Sequence, residues 1–351
     1  AATDLGDLLS RVRQVDSQPP ASHFVIYMLR SLVPINEFYL RLPSLIFVEI
    51  GLVFLFLLVN LLWGERIALV TLVLAQFSPF LCHYAAESRN YGLWFLLIVT
   101  SFHCMLAWLR CLASQESKGY WLWASLWGLA NGMGLWVQIF HCFEILGQAI
   151  MCLVLFVSLP GVRSRAGSKS SFLLAQAIAG LLFLPWVMIL LSETGAGRIG
   201  VGWTRQFSLV SAAYCLFAFF FGFSLGPNLP ELHLLHLSEI IEKTAVPLGA
   251  AGFSIGVASL LYFNRLRQDF RNLRSRWELL PLLIYPLASV MGPVALALAT
   301  GFPLHPRHLL YVWWLVPLVL GITSTSKPAK YIVAIIFAIQ LYALGNSLFN
   351  D

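Results

Sequence analysis

Apolar residues run along this chain in blocks of about 17–25, separated by short polar connections and without alternation at period two. A block of that length can close all its backbone hydrogen bonds as one helix and match the thickness of a bilayer's hydrocarbon core. The pattern predicts crossings at Leu42–Leu62, Ile67–Tyr84, Arg89–Leu112, Tyr120–Val137 and Phe143–Leu159. It predicts more at Phe172–Leu191, Val246–Phe263, Leu279–Thr300, Leu309–Thr323 and Tyr331–Leu348. Trp and Tyr recur near the block ends, as amphipathic rings do at a membrane interface. Ser22 to Val33 is too short for a crossing and carries His23 and Arg30, whereas Phe207 to Gly226 is aromatic-rich and punctuated by glycine.

Composition agrees with the pattern. Of the 351 residues 59% are apolar and 11% charged, with a mean hydropathy of +0.80, which leaves too little polar surface for a soluble globule. The fold class expected is an all-α polytopic membrane protein of about ten transmembrane helices plus interfacial or re-entrant helices. The net charge of +6 is gathered in short loops between apolar blocks, a positive-inside pattern rather than a nucleic-acid surface. The cysteines lie mostly inside apolar blocks and show no CxxC spacing, so neither a zinc site nor a disulfide framework is indicated.

The basic loops set the topology. Arg110 with Lys118, Arg163 with Arg165 and Lys169, the run Arg265 to Arg276, and Lys327 with Lys330 should all be cytoplasmic. They share one side if Ser22–Val33 and Phe207–Gly226 stay within outer loops as re-entrant or interfacial helices. The chain then divides into an extracytoplasmic juxtamembrane segment, residues 1–41, and a polytopic domain, 42–351, with an extracytoplasmic loop at about 192–245. Ala1 to Gln18 reads as an amphipathic interfacial helix or a frayed terminal one. An outer N-terminus without a signal peptide leads to the expectation that an upstream helix exists and that the chain is truncated.

Charge inside apolar surroundings marks the candidate chemistry. Ser78-Pro79 opens a short connection that holds Glu87 and Arg89 between two long apolar runs, where a charge costs roughly 2.5–3.5 kcal/mol at a helix centre. On the same outer face the topology collects Asp16, held before Pro19-Pro20, and His305-Pro306-Arg307-His308. Helices starting near Arg89 and near Arg307 would point positive dipole ends at that face, a suitable place for a phosphate; the alternative is that both arginines are snorkelling anchors. His233 and His236 stand among leucines and read as positions of an interfacial helix before a metal pair, and His103 and His141 read as polar glue between helices. Arg265 to Arg276 reads as an anchor to anionic lipid, and Gly195 to Gly202 as a loop without the context of a phosphate cradle.

Asp16-Ser17-Gln18-Pro19-Pro20, Leu40-Arg41-Leu42-Pro43-Ser44, and Ser78-Pro79 with Tyr84 to Tyr91 resemble three ordered signatures of glycosyltransferase family 39. These enzymes are similar to dolichyl-phosphate-mannose protein mannosyltransferases and have the C-type glycosyltransferase fold. Phe221 to Pro227 with Glu231-Leu232, and Pro306 to Leu310, resemble later segments of the family. Gln18 stands where the family has His, Ser88 where it has Ala, and His308 where it has Tyr. The family's principal acidic pair, soon after a first transmembrane helix, is not in this chain.

The resemblance implies a membrane enzyme that moves a sugar from a polyprenyl-phosphate carrier to an acceptor hydroxyl with inversion, on the extracytoplasmic face. It implies Asp16 and Glu87 as catalytic acidic residues, and Arg89, Tyr91, Arg307 and His308 as substrate-binding residues. No resident metal site is assigned, although a divalent cation could take part. Arg41 matches a family position, and the helix start expected at Pro43-Ser44 makes it a brace of the fold. The partners expected are the lipid-borne donor, the bilayer and an acceptor that is protein, lipid or glycan, with no nucleic acid. A plasma (inner) membrane is preferred to the ER. The competing class is a lipid or solute transporter or flippase without chemistry, for which broken helices near the midplane would be the mark.

Overall fold

The computed structural model describes residues 19–30, 33–34, 36–114, 119–158, 167–193, 209–225, 238–239, 249, 252–253, 256–257, 259–260, 280–300 and 304–350. These residues form helices and turns, with no strand among them. The chain divides into two compact units: one of Ala1–Phe54, Ala85–Trp203 and Leu287–Ser289, the other of Leu55–Tyr84, Thr204–Pro286 and Val290–Asp351.

Through the first half run α1 (Ala21–Leu29), α2 (Glu37–Trp63), α3 (Glu65–Gln76), α4 (Pro79–Ala86) and α5 (Tyr91–Ala113). They are followed by α6 (Tyr120–Val137), α7 (His141–Ser158) and α8 (Ser168–Glu193). The second half contributes α9 (Leu209–Phe221), α10 (Leu280–Thr300), a 3-10 turn at Pro306–Leu309, α11 (Leu310–Trp313), α12 (Leu315–Thr323) and α13 (Lys327–Asn350). Four of the described helices are long and apolar enough to cross a membrane: α2, α5, α8 within Ser168–Ile189, and α13 within Ala329–Leu348. A fifth crossing results if α3 and α4 together form one span, bent by 57°. The predicted span Val246–Phe263 lies largely outside the described residues.

Several boundaries differ from those the apolar blocks predict. The block Ile67–Tyr84 is broken, because Pro79 has no N–H to continue the ladder and Ser78 restarts a helix with Pro in its first turn. The segment expected to begin at Pro43-Ser44 begins instead at Glu37. There Asn36 is the cap, its side-chain oxygen accepting the Tyr39 N–H at 3.0 Å, and Pro43 sits inside the helix. The block Leu309–Thr323 is three pieces rather than one helix.

α5 is the centre of the first unit. Of its most apolar 18-residue window 72% is buried, against 17% in α8, whose Leu173, Leu181 and Met188 are exposed. Apolar faces of that kind are solvated by acyl chains, and the chain is an integral membrane protein. In lipid, helices associate through close packing and polar ties, the apolar surround being as oily as the side chains. α6 and α8 approach closely where Gly128 faces the backbone of Ala175 and Gly132 faces Ala179 and Leu182. Indoles add ties to α8: the buried Trp108 of α5 donates its Nε1 hydrogen to Ser171 Oγ at 3.0 Å, and Trp136 of α6 donates to the Leu182 carbonyl at 2.7 Å.

The second unit is built on aromatic packing. Phe80 stacks on Trp313 with ring centroids 5.9 Å apart and meets Phe219 edge-on at 5.0 Å. A core of Leu74, Tyr214, Phe217, Phe221, Leu320 and Ile336 lies among α3, α9, α12 and α13. Gly222 ends α9 at φ +67°, in contact range of Pro79, a conformation few other residues adopt readily. The following turn is fastened to α13 by Ser224 Oγ donating to the Ala343 carbonyl at 2.6 Å and Asn346 Nδ2 donating to the Ser224 carbonyl at 2.9 Å.

Candidate functional site

The four-residue turn between α4 and α5 carries the most concentrated chemistry of the first unit. Glu87 and Arg89 flank Ser88 in it, with Arg89 Nε 3.9 Å from Glu87 Oε2 and their side chains 62% and 33% exposed for Arg89 and Glu87 respectively. A pair this long and this wet contributes at most about 1 kcal/mol, so the two groups are neighbours rather than a locked bridge. Arg89 lies in the turn, and α5 begins two residues later at Tyr91, which is buried.

Asn90 precedes α5 but does not cap it. Its side-chain amide donates instead to the Val137 carbonyl at the end of α6, at 2.7 Å. One turn further, Trp94 Nε1 donates to His141 Nδ1 at 3.1 Å. Since an indole only donates, His141 Nδ1 is the bare nitrogen and Nε2 carries the hydrogen, donated to Asn131 Oδ1 at 3.1 Å. Asn131 Nδ2 then donates to Gln148 Oε1 at 3.0 Å, which also accepts from Trp127 Nε1 at 2.6 Å. Gln148 Nε2 donates to Ser101 Oγ at 3.0 Å and to Glu144 Oε1 at 2.6 Å. Asn131, His141, Glu144 and Gln148 are all buried. The interhelical role expected for His141 is thus present, whereas His103 packs edge-on against Phe54 and Trp123 with its Nδ1 unbonded among the described residues.

Arg307 and His308 belong to the second unit, in the 3-10 turn Pro306–Leu309. No long helix starts at Arg307: the turn leads into the four-residue α11, too short for a phosphate site built on a helix dipole, so that part of the expectation fails. His308 is buried, and its Nδ1 accepts the backbone N–H of His305 at 3.2 Å. Burial, with the charges of Arg307 and His305 beside it, holds its pKa well below the usual imidazole value. The ring of His305 meets it edge-on at 5.4 Å.

The expected site residues therefore fall into groups: Glu87, Arg89 and Tyr91 along one turn, and Arg307 with His308 along another. Asp16 lies outside the described residues, as do His233, His236, Gly195 to Gly202 and Arg265 to Arg276. Arg41 pairs with Glu37 one turn earlier on α2. Among the described residues no three His, Cys, Asp or Glu side chains converge as a metal site. Asn90, Trp94, Asn131, Glu144 and Gln148 were not singled out by sequence reasoning. The signal that could have found them is polar side chains at i, i+4 spacing inside apolar runs, as in Glu144 and Gln148.

Residues 17–189 match the family model described as dolichyl-phosphate-mannose-protein mannosyltransferase. Among solved structures, the chain is similar to ArnT from Cupriavidus metallidurans bound to undecaprenyl phosphate, with a TM-score of 0.55 at 17% identity over 92% of this chain and 53% of that one. It is also similar to the same protein in the apo state, with a TM-score of 0.50 at 14% identity over 90% and 50% of the two chains. The chain thus spans about half the length of these neighbours, and at such identities the likeness is one of fold. No curated protein matches. The chain carries the C-type glycosyltransferase fold, and through residues 17–189 it is similar to the dolichyl-phosphate-mannose-protein mannosyltransferase family.

Proposed function

We propose that this protein is a membrane glycosyltransferase that moves a hexose or pentose from a polyprenyl-phosphate carrier to an acceptor hydroxyl, with inversion at the anomeric carbon. The observation that carries the reading is the Glu87–Arg89 pair, a carboxylate beside a guanidinium in a turn between apolar helices, inside the segment that matches the family model. The solved neighbour with undecaprenyl phosphate bound supports a lipid phosphate as the leaving group.

In this reading a carboxylate, Glu87 or Asp16, takes the proton of the acceptor hydroxyl as its oxygen attacks the anomeric carbon. The bond from that carbon to the phosphate oxygen breaks, and the lipid phosphate leaves with the electron pair. Arg89 stabilises the charge that grows on the phosphate, because a guanidinium offers paired N–H donors matched to phosphate oxygens. Tyr91, the first residue of α5, binds substrate beside this turn, and Arg307 with His308 are substrate-binding residues carried by the second unit. The reaction is assigned to the extracytoplasmic face of a plasma (inner) membrane.

The test is transfer from radiolabelled polyprenyl-phosphate sugars in membranes, comparing wild type with Glu87→Gln and Arg89→Ala. Collapse of transfer in both variants with normal abundance supports the reading. A second reading, a carrier that moves lipid or solute without chemistry, draws on the 57° break between α3 and α4, since broken helices mark transport sites. It predicts no sugar release from any carrier by abundant, folded wild type.

A further inference from the structure

We infer that Asn90, Trp94 and His141 are positioning residues, forming a clasp that sets the place of the Glu87–Arg89 turn. The inference rests on the reading of that turn as part of the transfer site. The ion pair of that turn is long and wet. Immediately after it, two side chains one helical turn apart reach the junction of α6 and α7, at Val137 and His141.

Each contact is specific in kind. Asn90 gives its side-chain amide to a backbone carbonyl, although the residue before a helix ordinarily turns such a side chain onto the first turn. Trp94 gives its indole N–H to a ring nitrogen that can accept it in one tautomer alone. That tautomer is set from the other side by Asn131, whose amide is in turn oriented by Gln148. The ring fits because residue 134 is glycine: a Cβ there would come within 2.6 Å of His141 Cε1. Gln138 closes the same connection, its backbone carbonyl accepting the His141 N–H at 3.0 Å. The clasp is thus a chain of oriented hydrogen bonds running from the core of the unit to the residue next to Arg89. Displacement of a reacting group by about 1 Å can lower a rate about a hundredfold, so a turn carrying the base and the phosphate ligand needs such an anchor.

The test uses the full-length protein in detergent or nanodiscs. Asn90→Asp keeps the shape and replaces the donor by an acceptor facing the Val137 carbonyl; Trp94→Phe keeps the ring and removes the donor. Trp108→Phe is the control, since it removes a buried indole donor from the same unit whose acceptor, Ser171 Oγ, lies outside this network. For each, kcat and KM for the lipid-linked sugar are measured together with melting temperature and hydrogen exchange of the amides at 87–90. The expected result is a kcat lower by about tenfold or more for Asn90→Asp and Trp94→Phe, with KM within about twofold and faster exchange at 87–90. Trp108→Phe, at comparable loss of melting temperature, should leave both near wild type. If the control falls as far as the clasp variants, or if exchange at 87–90 is the same in all, the network is scaffold only and the inference is overturned. If wild type transfers no sugar, the functional reading fails, and the exchange measurement alone decides whether the clasp holds the turn.

Discussion

Replacing Gly128 by alanine should weaken the packing of α6 on α8 by a margin that a matched substitution isolates. A Cβ at 128 would lie 2.9 Å from the Cα of Ala175 and 3.0 Å from its carbonyl carbon, and closer still to the carbonyl oxygen. Those atoms are backbone of a 26-residue helix and cannot rotate aside, so the helices must separate. Gly180 on α8 supplies the comparison, since a Cβ there meets nothing within 4 Å. Both changes gain the same helix propensity, about 1 kcal/mol, so their difference reports the collision alone. Overpacking of this kind costs about 1–3 kcal/mol, and at about 2–4 °C per kcal/mol Gly128→Ala should melt roughly 2–12 °C below Gly180→Ala. Gly132→Ala should fall between the two, because its nearest neighbour at 2.7 Å is the mobile Cδ1 of Leu182. The assay is thermal melting in detergent, followed by tryptophan fluorescence. If Gly128→Ala melts at or above Gly180→Ala, the close approach of α6 and α8 is not what holds this pair together.

Other expectations follow from single features. Gly222→Ala places a side chain at φ +67° and against Pro79, so it should destabilise by about 1–2 kcal/mol or more, read as a lower melting temperature. Because the folded state holds His308 neutral below the unfolded value of 6.5, the unfolded chain takes up the proton first as pH falls; stability should decline on acidification below about 6.5, and less so in His308→Gln. Melting curves between pH 8 and 5 compare the two, and equal slopes would remove His308 as the cause. Arg41→Ala should change stability by no more than about 0.5 kcal/mol, its pair with Glu37 being exposed, and leave transfer intact. Transfer lost at an unchanged melting temperature would move Arg41 from brace to site.

Hydrophobic length read the helices well where a block has clean ends. α6 occupies Tyr120–Val137, the predicted bounds, because Gly119 and Gln138 bracket an uninterrupted run. It failed where direction changes without loss of apolarity. Ser78-Pro79 bends a continuous run, and Leu309–Thr323 is equally oily whether it forms one helix or three pieces. Pro43 was read as a start although Asn36, which caps the helix, stood seven residues earlier. That Glu87 and Arg89 share one short connection was legible since they are neighbours in sequence. The network of Asn131, Gln148 and Glu144 was not, because its partners come from three helices and a lone amide in an apolar run does not name the residue it will meet.

That network also has a property visible only in its direction. Chains of hydroxyls and waters can usually be written in two senses, each donor and acceptor exchanging roles, and they carry residual disorder for that reason. Here an indole N–H enters from each side, at His141 and at Gln148, and an indole cannot reverse. Flip the amide of Gln148 and its NH2 faces Trp127; flip Asn131 and two oxygens face one another; move the His141 proton and two N–H groups collide. One arrangement survives out of many, so the interior beside the turn behaves as a strut with a single rest state. Whatever movement the proposed sugar transfer demands must then be supplied by other parts of the chain.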